Sequence, residues 1–417
     1  MEYFRYRNNA LYCENVSISR IVKEIGTPCY IYSYNAFIEQ FQRLKKAFTA
    51  VNPLICFALK ANDDLAVIKT MLKQGAGCDI VSGGELHKAL KIKADPKKIV
   101  FASVGKTDPE INAALKAGIL FFNVESRPEL ERIDRLAKKA KKRAGVALRI
   151  NPDIKAPTHD RIVTGTLEKK FGLDLATAKT VLRQRDRYPN VEISGIHMHI
   201  GSQITVVKPY VDALKRVIRF LDELTREKIY LQYFDMGGGF GIDYGDKQTV
   251  TIEQFAKAIL PLLKETGLNI ILEPGRFLTG NAGIFVIETL YIKDNGVKKF
   301  VIVDAGMNDF PRPSLYNAYH AIIPVKKTST QKDVFDVVGP ICESGDFFAK
   351  DRRMPVVQPG DLLALKSAGA YCHVMASNYN VRGRAPEVMV RGNTFEIIRK
   401  RETINDLMRG EQIPEFL

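Results

Sequence analysis

From about residue 37 the chain alternates two hydrophobic patterns. Phe37, Phe41, Leu44 and Phe48 fall on one face of a helix, and short apolar runs closed by polar or glycine residues then follow one another. Eight such runs stand at 54–60, 78–82, 99–103, 120–124, 146–151, 193–201, 233–237 and 270–273. Amphipathic stretches separate them, for example 64–74, 128–142, 211–227 and 252–265, the last with Ile252, Phe255, Ile259 and Leu262 in register. Eight strands alternating with helices over about 250 residues is the rhythm of a (β/α)8 barrel. An open doubly wound sheet is the structural alternative and usually has fewer strands.

After about residue 284 the rhythm changes to strands with turn residues between them, at 297–304, 333–338, 361–366 and in a hairpin at 388–398. The pattern therefore predicts an α/β chain in two parts. A barrel occupies 31–283, and an all-β domain, a sandwich or small barrel, is built from 284–417 with 1–30 completing its sheet.

In a (β/α)8 barrel, chemistry collects where the strands end. The residues closing these runs are Lys60, Asp79 with Ser82, Arg149 with Asn151, His199 with Ser202, Gly237-Gly238-Gly239, and Glu273 with Arg276. Lys60 follows the apolar run Phe57-Ala58-Leu59. Burial there disfavours its ammonium and leaves an amine able to attack carbonyls, which is how a Schiff-base lysine is made. A snorkelling lysine whose stem covers apolar surface is the ordinary alternative for one such residue taken alone.

Composition narrows the classes. Hydrophobic residues at 46% and charged residues at 26% describe a globular protein. The N-terminal Met1-Glu2-Tyr3-Phe4-Arg5-Tyr6 has no apolar core of a leader, and no 18 uncharged apolar residues run together, so a cytoplasmic protein without membrane contact is expected. The six cysteines are scattered without a C-x-x-C pair, so reduced thiols and no zinc site are expected. His197 and His199 share a strand face but have no acidic or cysteine partner nearby in sequence, and no metal is assigned to them. The net charge of +15 is concentrated partly in Lys138-Lys139-Ala140-Lys141-Lys142-Arg143, at a predicted helix end where cations are favourable. Without interleaved aromatics or a helix-turn-helix pattern, nucleic acid is not an expected partner.

The strand-end groups combine into one cofactor requirement. Three successive glycines let backbone N–H groups close on a phosphate. Glu273-Pro274-Gly275-Arg276 places an acid at a strand end, followed by a loop with free backbone and a cation. Lysine, phosphate cradle and glutamate together specify pyridoxal phosphate: the lysine to hold it, the glycines for its phosphate, the acid to keep its ring nitrogen protonated.

The chain resembles the fold-type III pyridoxal-phosphate decarboxylases, and within them the diaminopimelate decarboxylase branch, over about residues 20 to 400. The motifs are Phe57-Ala58-Leu59-Lys60-Ala61-Asn62, His197-Met198-His199-Ile200-Gly201-Ser202-Gln203, Gly237-Gly238-Gly239-Phe240-Gly241, Glu273-Pro274-Gly275-Arg276, Cys342-Glu343-Ser344-Gly345-Asp346 and Gly369-Ala370-Tyr371. The resemblance implies an alanine-racemase-like barrel with a β domain, in a homodimer with active sites shared between subunits. By motif position it makes Lys60 the covalent lysine and stacks His199 on the ring. Ser202, Gly238, Gly239 and the segment Glu273, Pro274, Gly275 and Arg276 hold the phosphate, while Glu273 faces the ring nitrogen. Asp79 and Glu85 line the pocket, Cys342 donates a proton across the dimer interface, and Tyr371 touches cofactor and substrate.

For the substrate, the same resemblance implies meso-diaminopimelate, decarboxylated to L-lysine in the last step of lysine biosynthesis. Pro311-Arg312-Pro313-Ser314-Leu315-Tyr316 with His320 follows that branch, as do Thr158-His159-Asp160, Thr164-Gly165 and Lys170-Phe171-Gly172. Arg276, Arg312 and Tyr316 would bind the distal carboxylate and Glu343 the distal ammonium. A guanidinium fork on a carboxylate rejects a cationic tail, which argues against an ornithine or arginine decarboxylase of the same fold. A racemase would need a second base in place of the cysteine. A non-catalytic pyridoxal-phosphate carrier would need only the barrel.

Overall fold

The structure, a computed structural model, describes residues 3–154, 170–246 and 249–417. These divide into two compact units. Residues within Ile38–Asp243 and Gln248–Leu278 form one, and those within Met1–Phe37, Tyr244–Lys247 and Thr279–Leu417 form the other.

The first unit is a closed (β/α)8 barrel. Its strands are β1 (Leu54–Ala58), β2 (Gly77–Ile80), β3 (Ile99–Phe101), β4 (Phe121–Val124), β5 (Ala144–Arg149), β6 (Val191–His197), β7 (Tyr233–Asp235) and β8 (Asn269–Leu272). Neighbours run parallel, and β8 returns to β1 through Ile271 with Leu54 and Leu272 with Ile55. All eight expected runs are strands. They read as continuous apolar runs because a parallel barrel buries both faces of each strand, and β2, β3 and β4 are buried at every position.

The helices start where capping residues satisfy orphan N–H groups. Asp64 Oδ1 accepts from Ala66 N ahead of Leu65–Lys73, Ser82 Oγ from Glu85 N ahead of Gly83–Lys91, and Thr251 with Gln254 makes a reciprocal capping box ahead of Ile252–Glu265. One departure from the strand pattern matters for the site. Strand β1 stops at Ala58, and Leu59–Ala61 is a 3-10 turn, so Lys60 stands on the turn that follows the strand.

The second unit is built mainly of strands. Its large mixed sheet runs Phe347–Pro355, Lys332–Val338, Lys299–Val303, Gly283–Asp294, Cys29–Ser33, Glu387–Arg391 and Thr394–Arg399, while Ile322–Pro324 and Leu362–Leu365 pair alongside. Residues 31–33, placed with the barrel by the sequence pattern, belong to this sheet: Cys29–Ser33 pairs with Gly283–Asp294 on one side and Glu387–Arg391 on the other. Most of the first 30 residues stay out of it, forming a three-stranded sheet of their own and the helix Ile18–Ile25. Among the described residues no helix is long and apolar enough to cross a membrane.

Candidate active site

The barrel carries a set of ionisable groups at the ends of its strands and on the turns that follow them. Lys60 Nζ lies 2.5 Å from Asp79 Oδ2, just beyond β1 and within β2 respectively. Asp79 is fully buried while the Lys60 side chain keeps 33% of its surface exposed. Burial first, and then the negative charge of Glu273, pushes the Asp79 carboxyl up to about 7 against the pull of Lys60. Glu85 sits in the first turn of Gly83–Lys91, where its Oε2 accepts from Val81 N at 2.6 Å. Burial raises its pKa despite that hydrogen bond.

Glu273 follows β8 and is the centre of a buried cluster. Its Oε2 is 3.2 Å from His197 Nε2 and its Oε1 accepts from Asn123 Nδ2 at 3.1 Å. Asn123 Nδ2 also reaches Asp235 Oδ2 at 3.4 Å. Burial alone would raise the Glu273 carboxyl. The pull and hydrogen bond of His197, the charge of Lys60 and a hydrogen bond shared with Asp235 outweigh it and hold Glu273 below the usual carboxylate range. Asp235 is driven the opposite way, well above its ordinary value, by burial and then by the charge of Glu273. Of these two acids Glu273 is the anion and Asp235 carries the proton, because two neighbouring buried carboxyls do not both ionise.

The glycine segment threads between neighbouring strand ends with no room for side chains. A Cβ on Gly238 would lie 2.1 Å from the Glu273 carbonyl oxygen, and one on Gly239 would lie 2.2 Å from that of Gly201. Gly237 N–H is taken by Asp235 Oδ1 at 2.9 Å, and Gly238 N–H by His199 Nδ1 at 3.3 Å. Among the described residues none accepts from the Gly239 amide. Tyr210, buried in the helix Lys208–Arg226, fixes the loop by donating its hydroxyl to the Gly238 carbonyl. His199, accepting at Nδ1, keeps a neutral ring: burial first, then the charges of Arg149 and Lys60, hold its pKa well below the usual value. Arg276, buried, donates from Nη2 to Ser202 Oγ at 3.0 Å.

These residues fit pyridoxal phosphate. A partly exposed amine stands beside a buried carboxyl, an uncommitted amide and a cation border a cradle that any Cβ would fill, and an ionised buried acid retains capacity for another donor. Asp79 Oδ1, buried, has no hydrogen-bond partner among the described residues.

Residues 34–280 match the family model of the pyridoxal-dependent decarboxylase, pyridoxal binding domain. The chain is also 46% identical, over 96% of its length and 95% of the relative's, to a diaminopimelate decarboxylase of Aquifex aeolicus. It belongs to the diaminopimelate decarboxylase family. Solved structures of that family superpose closely. The enzyme from M. jannaschii in co-complex with L-lysine gives a TM-score of 0.95 at 37% identity, covering 100% of this chain and 99% of that one. The enzyme from Helicobacter pylori complexed with L-lysine gives 0.90 at 41% identity, covering 94% and 98%.

The remaining expected site residues lie in the second unit. Cys342 and Glu343 are exposed on a loop closed by Asp346, whose two oxygens accept from Met307 N at 2.6 Å and Ile341 N at 2.7 Å. Tyr371 has a left-handed backbone, φ +57°, between buried Ala370 and Cys372. Arg312 is buried on the short helix Arg312–Tyr316, its guanidinium 4.8 Å from the Tyr244 ring centre and its Nη1 2.8 Å from His320 Nε2. Tyr316 is half-buried at the end of that helix. Thr158, His159, Asp160, Thr164 and Gly165 lie outside the described residues. Gly172, which lies inside, donates to Glu125, itself paired with Arg149 at 2.6 Å.

Four participants in the barrel cluster were not singled out from the sequence for this role. Asn123 and Asp235 sit within apolar runs and read as interior strand positions. His197 was visible only as half of an H-x-H pair, and Glu125 follows β4 without a motif. The usable signal was a polar residue inside an otherwise apolar strand.

Proposed function

We propose that this chain decarboxylates meso-2,6-diaminopimelate to L-lysine and CO2 with pyridoxal 5'-phosphate, as a homodimer in the cytoplasm. The observation that supports it best is the meeting of Lys60, Asp79, His199, the glycine segment and ionised Glu273 around one set of barrel strand ends, in a chain so similar to diaminopimelate decarboxylases. When bound, the cofactor supplies an electron sink for the pair left behind by departing CO2.

This chain's residues do the rest. Lys60 would hold the cofactor through its amine. Asp79, 2.5 Å away, is placed to exchange a proton with that amine. Glu273 keeps a proton on the ring nitrogen, since its carboxylate is ionised and an anion there stabilises the protonated ring. His199, neutral and fixed by Gly238 N–H, would bind the cofactor ring without adding charge. Ser202, Gly238, Gly239, Pro274, Gly275 and Arg276 hold the phosphate, with Gly239 offering the uncommitted amide of its cradle. Arg276, Arg312 and Tyr316 take the distal carboxylate, Glu343 the distal ammonium, and Tyr371 contacts cofactor and substrate. Cys342, contributed by the second copy, delivers a proton to Cα, so that substrate plus one proton gives lysine and CO2.

The test is direct. Protein loaded with pyridoxal phosphate should release CO2 from meso-diaminopimelate and form lysine, and Lys60→Ala should abolish the covalent linkage that borohydride traps. Release of CO2 from ornithine in place of diaminopimelate would overturn the substrate assignment.

A further inference from the structure

Glu273 is held more elaborately than an acid needing only to be buried. Its oxygens have three side-chain partners between them, Asn123 on Oε1, His197 on Oε2 and the Asp235 carboxyl. A carboxylate oxygen has two lone pairs, so the group is fixed in orientation yet still able to accept from a ring N–H. Asn123 is itself anchored. Its backbone carbonyl accepts from Lys106 Nζ at 2.8 Å, which fixes the main chain at this position and not the side-chain Oδ1, and Lys106, buried, also donates to Ser103 O at 2.8 Å and Glu129 Oε1 at 2.6 Å. Turning the Asn123 amide over would set its oxygen against two carboxyl groups, so its NH2 is the end that faces them.

Asp235 has a different place. Its Oδ1 accepts the N–H of Gly237, the first residue of the glycine segment, while its Oδ2 lies 3.4 Å from Asn123 Nδ2 and the carboxyl shares a hydrogen bond with Glu273. One side chain therefore ties the phosphate end of the site to the ring-nitrogen end. We propose that Asn123 and Asp235 are positioning residues that fix the Glu273 carboxylate as the acceptor for the ring nitrogen and set its register with the glycine cradle. This rests on the cofactor reading above and assigns a role to two residues outside the sequence motifs. The balance of protons is consistent: burial and the charge of Glu273 favour the protonated Asp235 carboxyl, which shares a hydrogen bond with Glu273, and Oδ1 accepts from Gly237. The other titratable groups that act on this cluster are Lys60, Cys56, Asp79, His197 and His199.

An asparagine at 235 can still accept from Gly237 and donate toward Glu273, giving up only the long 3.4 Å bond from Asn123, and an alanine makes none of the three. Pyridoxal phosphate is titrated into cofactor-free protein and followed by absorbance across pH, with circular dichroism and thermal unfolding reporting the fold. Asp235→Ala should weaken cofactor binding about tenfold or more, and Asp235→Asn should restore it to within about threefold. Asn123→Asp adds a third carboxyl and should weaken binding about tenfold and move the pH midpoint of the bound absorbance by about one unit. An Asp235→Asn protein that folds but binds as poorly as Asp235→Ala overturns the assignment, as does an Asn123→Asp protein with the parent's affinity and midpoint. A parent protein that takes up no pyridoxal phosphate defeats the cofactor reading itself, and this inference with it. Normal uptake by the parent alongside unaltered variants defeats only the positioning role.

Discussion

Replacing Gly239 by alanine separates what the glycine segment does for folding from what it does for the cofactor. Gly239 has φ +101°, and the new Cβ would meet Gly201 O at 2.2 Å and the Tyr210 hydroxyl at 2.7 Å, where ordinary contact begins at 3.4 Å. The backbone strain of an L-residue at positive φ costs about 1–2 kcal/mol, and forcing a methyl into packed surroundings costs a further 1–3 kcal/mol or so. The sum, roughly 2–5 kcal/mol, is below the roughly 5–15 kcal/mol that holds a domain together, so the variant should fold. Relieving the clash needs a shift of about 1 Å, and a displacement of that size at a reacting centre costs about 100-fold in rate. Gly75 is the internal control, with φ +95° and nothing within 4 Å of its Cβ position. Gly75→Ala should therefore lose only the strain, about 1–2 kcal/mol in urea unfolding, and bind pyridoxal phosphate normally. Gly239→Ala should lose more stability and bind the cofactor at least about tenfold more weakly. Equal destabilisation of the two, or parental cofactor affinity in Gly239→Ala, would refute the argument from close packing.

Three further outcomes follow from the same geometry. The Asp79 carboxyl, raised from 3.8 to about 7 in the fold, contributes stability that is complete below pH 3.8 and is lost as pH rises through about 7. In cofactor-free protein Asp79→Asn should therefore gain on the parent between about pH 4 and 7, and an offset in unfolding midpoint that does not change with pH counts against it. Arg149→Met strands buried Glu125 without its 2.6 Å partner and should cost about 3–5 kcal/mol in denaturant unfolding, with Arg149→Met combined with Glu125→Met recovering much of the loss. If the double variant is no better than the single one, the loss is of packing and not of a stranded charge. Cys342→Ala, on an exposed loop, should leave cofactor absorbance intact and slow turnover by about 100-fold; unchanged turnover removes the thiol from proton delivery.

The barrel was legible because each parallel strand is covered on both faces, which writes it as a bare apolar run that ends abruptly where the loop begins. Lys60, His199, the glycines and Glu273 stand at such endings, where a rule about barrels looks for chemistry. The N-terminal region was read less well. Residues 4–17 look like strands for any sheet, and only pairing partners far along the chain decide that Cys29–Ser33 joins the large sheet while Phe4–Arg7, Ala10–Cys13 and Val16–Ser17 form another.

The chain's own order of residues therefore determined the architecture, and it pointed to the kind of cofactor chemistry and to the group proposed to bear it, because hydrophobic period and strand-end polarity are local properties. Only the folded barrel decided which acid is ionised. Asn123, His197, Asp235 and Glu273 come from four strands or strand ends spread over 150 residues, and their charges depend on mutual distance and exclusion of water, quantities that exist only after closure.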